Sequence, residues 1–220
     1  MLIAERRQLT MKGLLITFEG VEGSGKSSQC RQLAQWLRRE GHQVRETSEP
    51  DGTTLGERIR SFFEDPAIRP APLTELFLFL AARQQHVTDV ILPALEAGMI
   101  VLSDRYADAT LAYQGYGRRL DRHTIGELNA LATGGITPDL TILLDLDPAV
   151  GLGRLGNRKL DRFEQLDLAF HRRVRDGYLE IARVEKQRFI VIDGNLPEAR
   201  IHDEIRHAVS DRLARGNADV

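Results

Sequence analysis

Eight residues near the start of the chain carry its clearest chemistry. Gly20-Val21-Glu22-Gly23-Ser24-Gly25-Lys26-Ser27 fits the spacing G-x-x-x-x-G-K-[ST]. Glycines here let the backbone curl until successive N–H groups converge on phosphate oxygens. A helix that follows directly aims its positive end at the same point. Lys26 is placed to reach the outer phosphates of a nucleoside triphosphate, and the Ser27 hydroxyl suits a Mg²⁺ ligand. Ser28 adds a second hydroxyl, so Gly20–Ser28 is expected to hold the triphosphate. Glu22 is odd in such a loop. A carboxylate beside bound phosphates is unfavourable unless a cation or a hydroxyl partners it.

Further along, Phe79 and Arg83 lie four apart, hence on one helix face. An aromatic ring and a planar guanidinium at that spacing suit a pyrimidine, by stacking and hydrogen bonding. The surrounding Leu76, Phe77 and Leu80 suit the core equally, and the pattern alone favours core for Phe79. A local basic cluster, Gly151–Phe163 (GLGRLGNRKLDRF), mixes three glycines with Arg154, Arg158, Lys159 and Arg162. Glycines supply hinge freedom and arginines supply planar donors for phosphate oxygens. A solvated charged loop is the plain alternative.

The elements that must position these residues alternate in type. Short apolar runs at Gly13–Glu19, His42–Thr47, Met99–Ser103, Leu140–Leu146 and Phe189–Asp193 read as five strands. Helical periodicity predicts helices over Ser27–Glu40, Leu55–Phe63, Leu73–Ala97, Thr124–Thr133, Leu166–Lys186 and Pro197–Leu213, with Pro93 disturbing the third. Asp147-Pro148 reads as an N-cap with proline at the first helical position. Residues 65–72 carry three prolines and read as a loop. Apolar strands joined by helical crossovers imply an α/β fold, a five-stranded parallel sheet with helices on both faces. Ligands of such sheets bind beyond the carboxyl ends of the strands. Both the glycine-rich loop and Asp104-Arg105 sit at such ends.

Composition narrows the classes. The 220 residues include 30 basic and 32 acidic side chains, a formal charge of -2, so no overall basic field favours nucleic acid. The single cysteine, Cys30, allows no internal disulfide and no multi-cysteine zinc site. No apolar run approaches a membrane span and no signal core opens the chain, so a cytoplasmic protein with no membrane partner is expected. The expected organisation is an N-terminal extension over 1–11, one domain over 12–214 with a small lid at about 151–163, and a tail over 215–220. A guanine-nucleotide switch would need an N-K-x-D run and a transporter ATPase an L-S-G-G-Q stretch, and neither occurs.

The segments Phe18-Glu-Gly-Val-Glu-Gly-Ser-Gly-Lys-Ser, Glu49-Pro50-Asp51-Gly52-Thr53, Phe79-Leu-Ala-Ala-Arg83, Asp104-Arg105-Tyr106, Ala112-Tyr-Gln114 and Leu160-Asp-Arg-Phe-Glu164 occur in the order and near the spacing of the motifs of bacterial thymidylate kinases. The resemblance runs from about Lys12 into the final helix. It implies the P-loop NTPase fold, transfer of the γ-phosphate of ATP to thymidine 5′-monophosphate (dTMP), Mg²⁺ as cofactor and a homodimer. It makes Phe79 a thymine-stacking ring and Arg83 a base contact. Arg105 becomes the grip on the acceptor phosphate, and Asp104 either orients Arg105 or binds metal-bound water. Thr110 and Gln114 approach the base, and Tyr113 crowds the 2′ position. Glu22 lies near the sugar 3′-hydroxyl and the metal, and Glu49 is a second substrate-site acid.

The phosphate loop holds Gly23 and Ser24 where some relatives place a basic residue, while the 151–163 segment is arginine-rich. The chain thus resembles the type that draws catalytic arginines from the lid, here Arg154, Arg158 and Arg162. The sequence departs from the family pattern at Ser48 and Asp51, where arginine and glycine are common. A phosphate-monoester acceptor is already dianionic at neutral pH, so no general base is needed. Catalysis then reduces to positioning and charge neutralisation, supplied by Lys26, Mg²⁺, Arg105 and the lid arginines. The competing readings are a kinase of another nucleoside monophosphate, and a non-catalytic P-loop nucleotide sensor.

Overall fold

The structure is a computed structural model that describes residues 13–65, 67–156 and 161–218, with side chains described to residue 214. The expected extension over 1–11 and the lid residue Arg158 lie outside the described residues. Five strands, β1 (Leu14–Glu19), β2 (Val44–Ser48), β3 (Ile100–Asp104), β4 (Leu140–Asp145) and β5 (Phe189–Asp193), form one parallel sheet in the order β2-β3-β1-β4-β5. The α/β expectation of five parallel strands holds. β1 sits in the middle, with Phe18 in register with Asp104 of β3 and Glu19 with Leu143 of β4.

Because alternate side chains of a strand face opposite sides, β1 feeds two cores. Ile16 and Phe18 pack with Leu33, Leu37, Ile205 and Val209 on one face. Leu15 packs with Ile91, Leu95, Val101 and Tyr106 on the other. Leu33 and Leu37 come from α1 (Lys26–Arg39), and Ile205 and Val209 from α9 (Glu198–Ala218). The alternation that buries Leu15 sends Thr17 and Glu19 the same way, and both are fully buried. Each strand ends on a polar residue, Glu19, Ser48, Asp104, Asp145 or Asp193, so the carboxyl edge of the sheet is lined with oxygen donors.

The remaining helices are α2 (Thr54–Glu64), α3 (Pro72–His86), α4 (Leu92–Glu96), α5 (Ala107–Thr110), α6 (Arg122–Thr133), α7 (Pro148–Arg154) and α8 (Leu168–Val184). Two helix expectations need correction. The single helix expected over Leu73–Ala97 is α3, a π-helical turn at Val87–Ile91, and α4. Pro93 has no N–H to give residue 89, and the widened turn before it absorbs the missing bond, with the Leu92 N–H reaching Val87 O. A second π-helical segment, Leu111–Gly117, continues α5, and its i→i+5 period escapes a search for 3.6-residue spacing. The final helix, expected over Pro197–Leu213, is α9 and runs on to Ala218.

The lid expectation also changes at its start. Asp147 does cap α7, its side chain accepting from the Ala149 N–H with Pro148 at the first helical position. But Gly151, Gly153 and Arg154 are then helical, not loop. A Cβ on Gly151 would lie 2.1 Å from Glu22 O, and one on Gly23 would lie 2.1 Å from Gly151 O. These glycines are there for close approach: α7 rests backbone to backbone on the phosphate loop. Among the described residues no helix is long and apolar enough to cross a membrane.

Candidate active site

A cleft of about 720 Å³ opens at the carboxyl edge of the sheet. Its walls include the phosphate loop, the ends of β2 and β3, and side chains from α2, α3 and the segment following α5. The loop leaves β1 after Glu19 and enters α1 at Lys26, with left-handed backbone at Gly23 (φ 69°) and Gly25 (φ 95°). Lys26 is buried, and its Nζ donates to Val21 O at 2.8 Å and to Ser24 Oγ at 3.3 Å. Burial, then the neighbouring Arg105, push its pKa down to about 8 against the pull of Glu22, Asp104 and Glu19. Ser27 Oγ donates to Asp104 Oδ2 across the β1–β3 junction. This hydroxyl and carboxylate form a pair of hard oxygen donors at the mouth of the loop.

Glu22 has both kinds of partner its position requires. Arg105 Nη2 donates to both carboxylate oxygens at 2.8 Å, and the Tyr113 hydroxyl donates to Oε1 at 2.6 Å. Burial pushes the Glu22 carboxyl up, but Arg105, Lys26 and the Tyr113 bond outweigh it and hold the pKa at about 2. Arg105 lies 4.9 Å over the Tyr113 ring, a cation–π contact that fixes the guanidinium in the cleft. Its backbone is left-handed at φ 72°, uncommon for a residue with a side chain. Three bonds hold that turn: Arg105 N–H to Phe18 O at 3.0 Å, Ser103 Oγ–H to Arg105 O at 2.7 Å, and Tyr106 N–H to Glu19 Oε1 at 2.8 Å.

The helix α3 presents a row at i, i+4, i+8 and i+11, Glu75, Phe79, Arg83 and His86, of which Phe79 and Arg83 line the cleft. Arg83 is buried, and all five of its N–H groups are committed. They go to Glu49 Oε2 (2.9 and 2.6 Å), Thr110 Oγ1 (2.7 Å), Asn129 Oδ1 (2.8 Å) and Tyr106 O (2.9 Å). The fork expected to face a base is therefore filled in this structure, and it ties β2, α5 and α6 together. Glu49 also bonds His86, whose other ring nitrogen bonds Thr47. Burial pushes the Glu49 carboxyl up, but Arg83 and His86 outweigh it and bring it below the usual range. Removing one member of such a buried pair costs ~3–5 kcal/mol.

Phe79 lines the cleft as expected, in aromatic company. Phe63 stacks on it at 4.7 Å and 16°, and Phe163 tilts against it at 5.7 Å. Thr110, Tyr113 and Gln114 are buried and line the same cleft. Gln114 Nε2 donates to Glu75 Oε1 at 3.0 Å. Of the lid arginines, Arg154 lies over the phosphate loop, donating to Gly23 O at 3.3 Å and to Gly194 O at 3.1 Å. Arg162 is bound instead to Glu75 Oε2 and Pro70 O, both at 3.3 Å, so it serves the α3 side of the cleft in this structure. Ser48 and Asp51 line the cleft, and Asp51 pairs with Arg60 at 3.0 Å. His86 is part of a buried network with Glu49 and Thr47. His171 is buried too, and burial lowers its pKa toward the neutral form. His123 is exposed beside Glu127.

Three residues were missed. Glu75 is fully buried and gathers Gln114, Arg118 and Arg162. The spacing 75, 79, 83 on one helix face was the available signal. Phe163 meets Phe63, Phe79 and Tyr113, a long-range pairing that spacing cannot show. Glu19, an acid inside an apolar strand, is fully buried between Tyr106 N–H and the Tyr178 hydroxyl, each at 2.8 Å. Burial first, and the nearby Asp108 second, raise its pKa to about 8 against Arg105 and the two donors. A carboxyl with its folded pKa raised binds its proton more tightly in the folded state. The protein therefore loses stability as pH climbs from about 4.5 through 8. Glu19→Gln cannot ionise, so its stability relative to wild type should rise across that window, by at most ~1.4 kcal/mol per pH unit. Urea denaturation at pH 5, 6.5 and 8 reads the difference, and a constant gap would contradict the assignment.

The chain was compared with known proteins. The thymidylate kinase family model matches residues 18–205. A thymidylate kinase of Deinococcus radiodurans is 52% identical over 202 residues, covering 91% of this chain and 98% of the relative. One from Geotalea uraniireducens is 49% identical over 212 residues, covering 93% and 100%. A crystal structure of thymidylate kinase from Ehrlichia chaffeensis superimposes with a TM-score of 0.74 at 34% identity, over 90% of this chain and 98% of that one.

Proposed function

The chain belongs to the thymidylate kinase family and is an ATP:dTMP phosphotransferase, and from that premise we propose how its own residues divide the work. Gly20–Ser28 hold the triphosphate, with backbone N–H groups around the phosphates and Lys26 on the outer ones. Lys26 gives up its bonds to Val21 O and Ser24 Oγ for phosphate oxygens, which favour its charged form. Arg105 grips the acceptor phosphate. The observation that carries this most is that a carboxylate of the donor loop, Glu22, already occupies the Arg105 guanidinium at 2.8 Å, which makes that guanidinium a formed anion seat at the donor–acceptor boundary. Phe79 stacks the pyrimidine, Thr110 and Gln114 border it, and Tyr113 excludes a 2′-hydroxyl. Arg83 and Glu49 keep the floor of this pocket rigid.

A kinase of this family also calls for a divalent cation. The Ser27 hydroxyl and the Asp104 carboxylate fit Mg²⁺, which takes one or two protein oxygens and fills its remaining positions with phosphate oxygens and water. When bound, Mg²⁺ supplies neutralisation of phosphate charge. Asp104 then serves as a hard oxygen donor beside the Ser27 hydroxyl.

Arg154 supplies the lid's charge on the donor side, its donors now spent on Gly23 O and Gly194 O. Arg158 is assigned the same role from the sequence resemblance. Arg162 joins them when its bond to Glu75 is released. An arginine that acts only in the transition state is worth roughly 10³–10⁵ in rate. The acceptor dianion needs no base, so no residue is assigned proton abstraction. A homodimer is supported by Leu73 and Phe77, four apart on α3 and each about half exposed, an apolar stripe that a second copy would cover. Sedimentation at micromolar concentration should give twice 24.7 kDa, and a single-chain mass would refute the dimer.

Coupled ADP release with a panel of monophosphate acceptors tests the whole reading. dTMP should be phosphorylated with a kcat/KM well above those of uridine, cytidine and purine ribonucleotides. In the same assay Arg154→Ala should lose turnover far more than ATP affinity. A ribonucleotide preference would overturn the acceptor assignment, and wild-type turnover in both Arg154→Ala and Arg158→Ala would overturn the lid assignment.

A further inference from the structure

We propose that Glu19 is a positioning residue for the acceptor-phosphate grip, holding the left-handed turn at Arg105 through the Tyr106 N–H. The inference rests on the reading of Arg105 given above.

Glu19 ends the central strand, immediately before the phosphate loop, and is fully buried. Its carboxyl does not line the cleft, and both its oxygens are already engaged. Oε1 accepts from Tyr106 N–H and Oε2 from the Tyr178 hydroxyl, each at 2.8 Å. Tyr106 is the residue after Arg105, whose φ of 72° is strained for a side chain with a Cβ. Such a conformation persists only where the surroundings over-determine it. Here they do so from three directions. β1 supplies Phe18 O to the Arg105 N–H, β3 supplies the Ser103 hydroxyl to Arg105 O, and Glu19 takes the next N–H along. Without Glu19 the Tyr106 N–H is a buried donor with no acceptor, and the turn relaxes to a less strained φ. That relaxation swings the guanidinium off the Tyr113 ring and off Glu22.

The charge environment suits a structural carboxyl. Asp108 of α5 faces it unfavourably, Arg105 favourably, and Tyr178 of α8 and the Tyr106 backbone donate to it. Burial and Asp108 raise its pKa to about 8, so near neutrality it holds its proton and an uncharged amide can stand in for it. Glu19→Gln keeps a carbonyl oxygen for the Tyr106 N–H and presents its NH₂ to the Tyr178 oxygen. Glu19→Leu keeps the volume and removes the acceptor. Glu19→Asp keeps the carboxyl but is one methylene too short to serve both donors.

The test is steady-state kinetics of these variants with ATP and dTMP varied separately. Glu19→Leu should raise KM for dTMP about tenfold or more, the effect of one lost bond to a buried donor, with KM for ATP within about twofold of wild type. Glu19→Gln should restore KM for dTMP to within about threefold. If the leucine variant does not fold, Glu19→Asp carries the same selective rise. The inference is overturned if KM for dTMP is unchanged in Glu19→Leu and Glu19→Asp, if both KM values rise together, or if Glu19→Gln is as impaired as Glu19→Leu. Arg105→Ala separates the two layers. If it too leaves KM for dTMP unchanged, the reading of Arg105 has failed. If it raises KM for dTMP while the Glu19 variants do not, only the role of Glu19 has failed.

Discussion

The ion pair between Glu22 and Arg105 joins the two halves of this site. Glu22 belongs to the loop that follows β1, and Arg105 to the turn that follows β3. Tyr113, from the π-helical segment, completes the junction by donating to Glu22 and lying under the guanidinium. Three elements distant in sequence thus converge on one half-buried charge pair. Removing either member leaves the other charge without its partner in a site only partly reached by water, a cost above that of a surface pair. Lys26, a second cation beside the same carboxylate, adds to the constraint, and the pKa of Glu22 at about 2 reflects both. A site that must bring two polyanions together needs its cations fixed in advance. Here they are fixed by a carboxylate that belongs to the protein.

A second set of polar contacts serves α3 in the same way. Glu75, Phe79, Arg83 and His86 form one inward row, and each meets a different part of the fold. Glu75 collects Gln114, Arg118 and Arg162, while Arg83 collects Glu49, Thr110 and Asn129. Phe79 sits between them in a cluster with Phe63 and Phe163. The π-helical turn at Val87–Ile91 follows the row and precedes Pro93, so the irregularity is kept away from the cleft.

What the sequence made legible follows from the range of each interaction. The phosphate loop was legible because left-handed backbone at Gly23 and Gly25 demands glycine. The five strands were legible because a sheet covered on both faces needs unbroken apolar runs. The need of Glu22 for a cation or hydroxyl was legible from electrostatics alone, and both partners are present. The partners' identities were not, since Arg105 and Tyr113 lie 83 and 91 residues away. Glycines misled once. Gly151 was read as hinge freedom, but it gives backbone contact between α7 and the phosphate loop. Glu19 and Phe163 escaped because burial and long-range contact, not spacing, define them. The roles of Arg83 and Glu75 as hubs escaped for the same reason.

The central claim is that Arg105 is held ready for the phosphate of the acceptor and not for its nucleoside. Calorimetric titration of dTMP and of thymidine into wild type and Arg105→Ala tests it most directly. The account predicts that the substitution weakens dTMP binding by ~2–3 kcal/mol, the scale of a charge-assisted bond, while thymidine binding is unchanged. Equal losses for both ligands, or no loss for either, would contradict it.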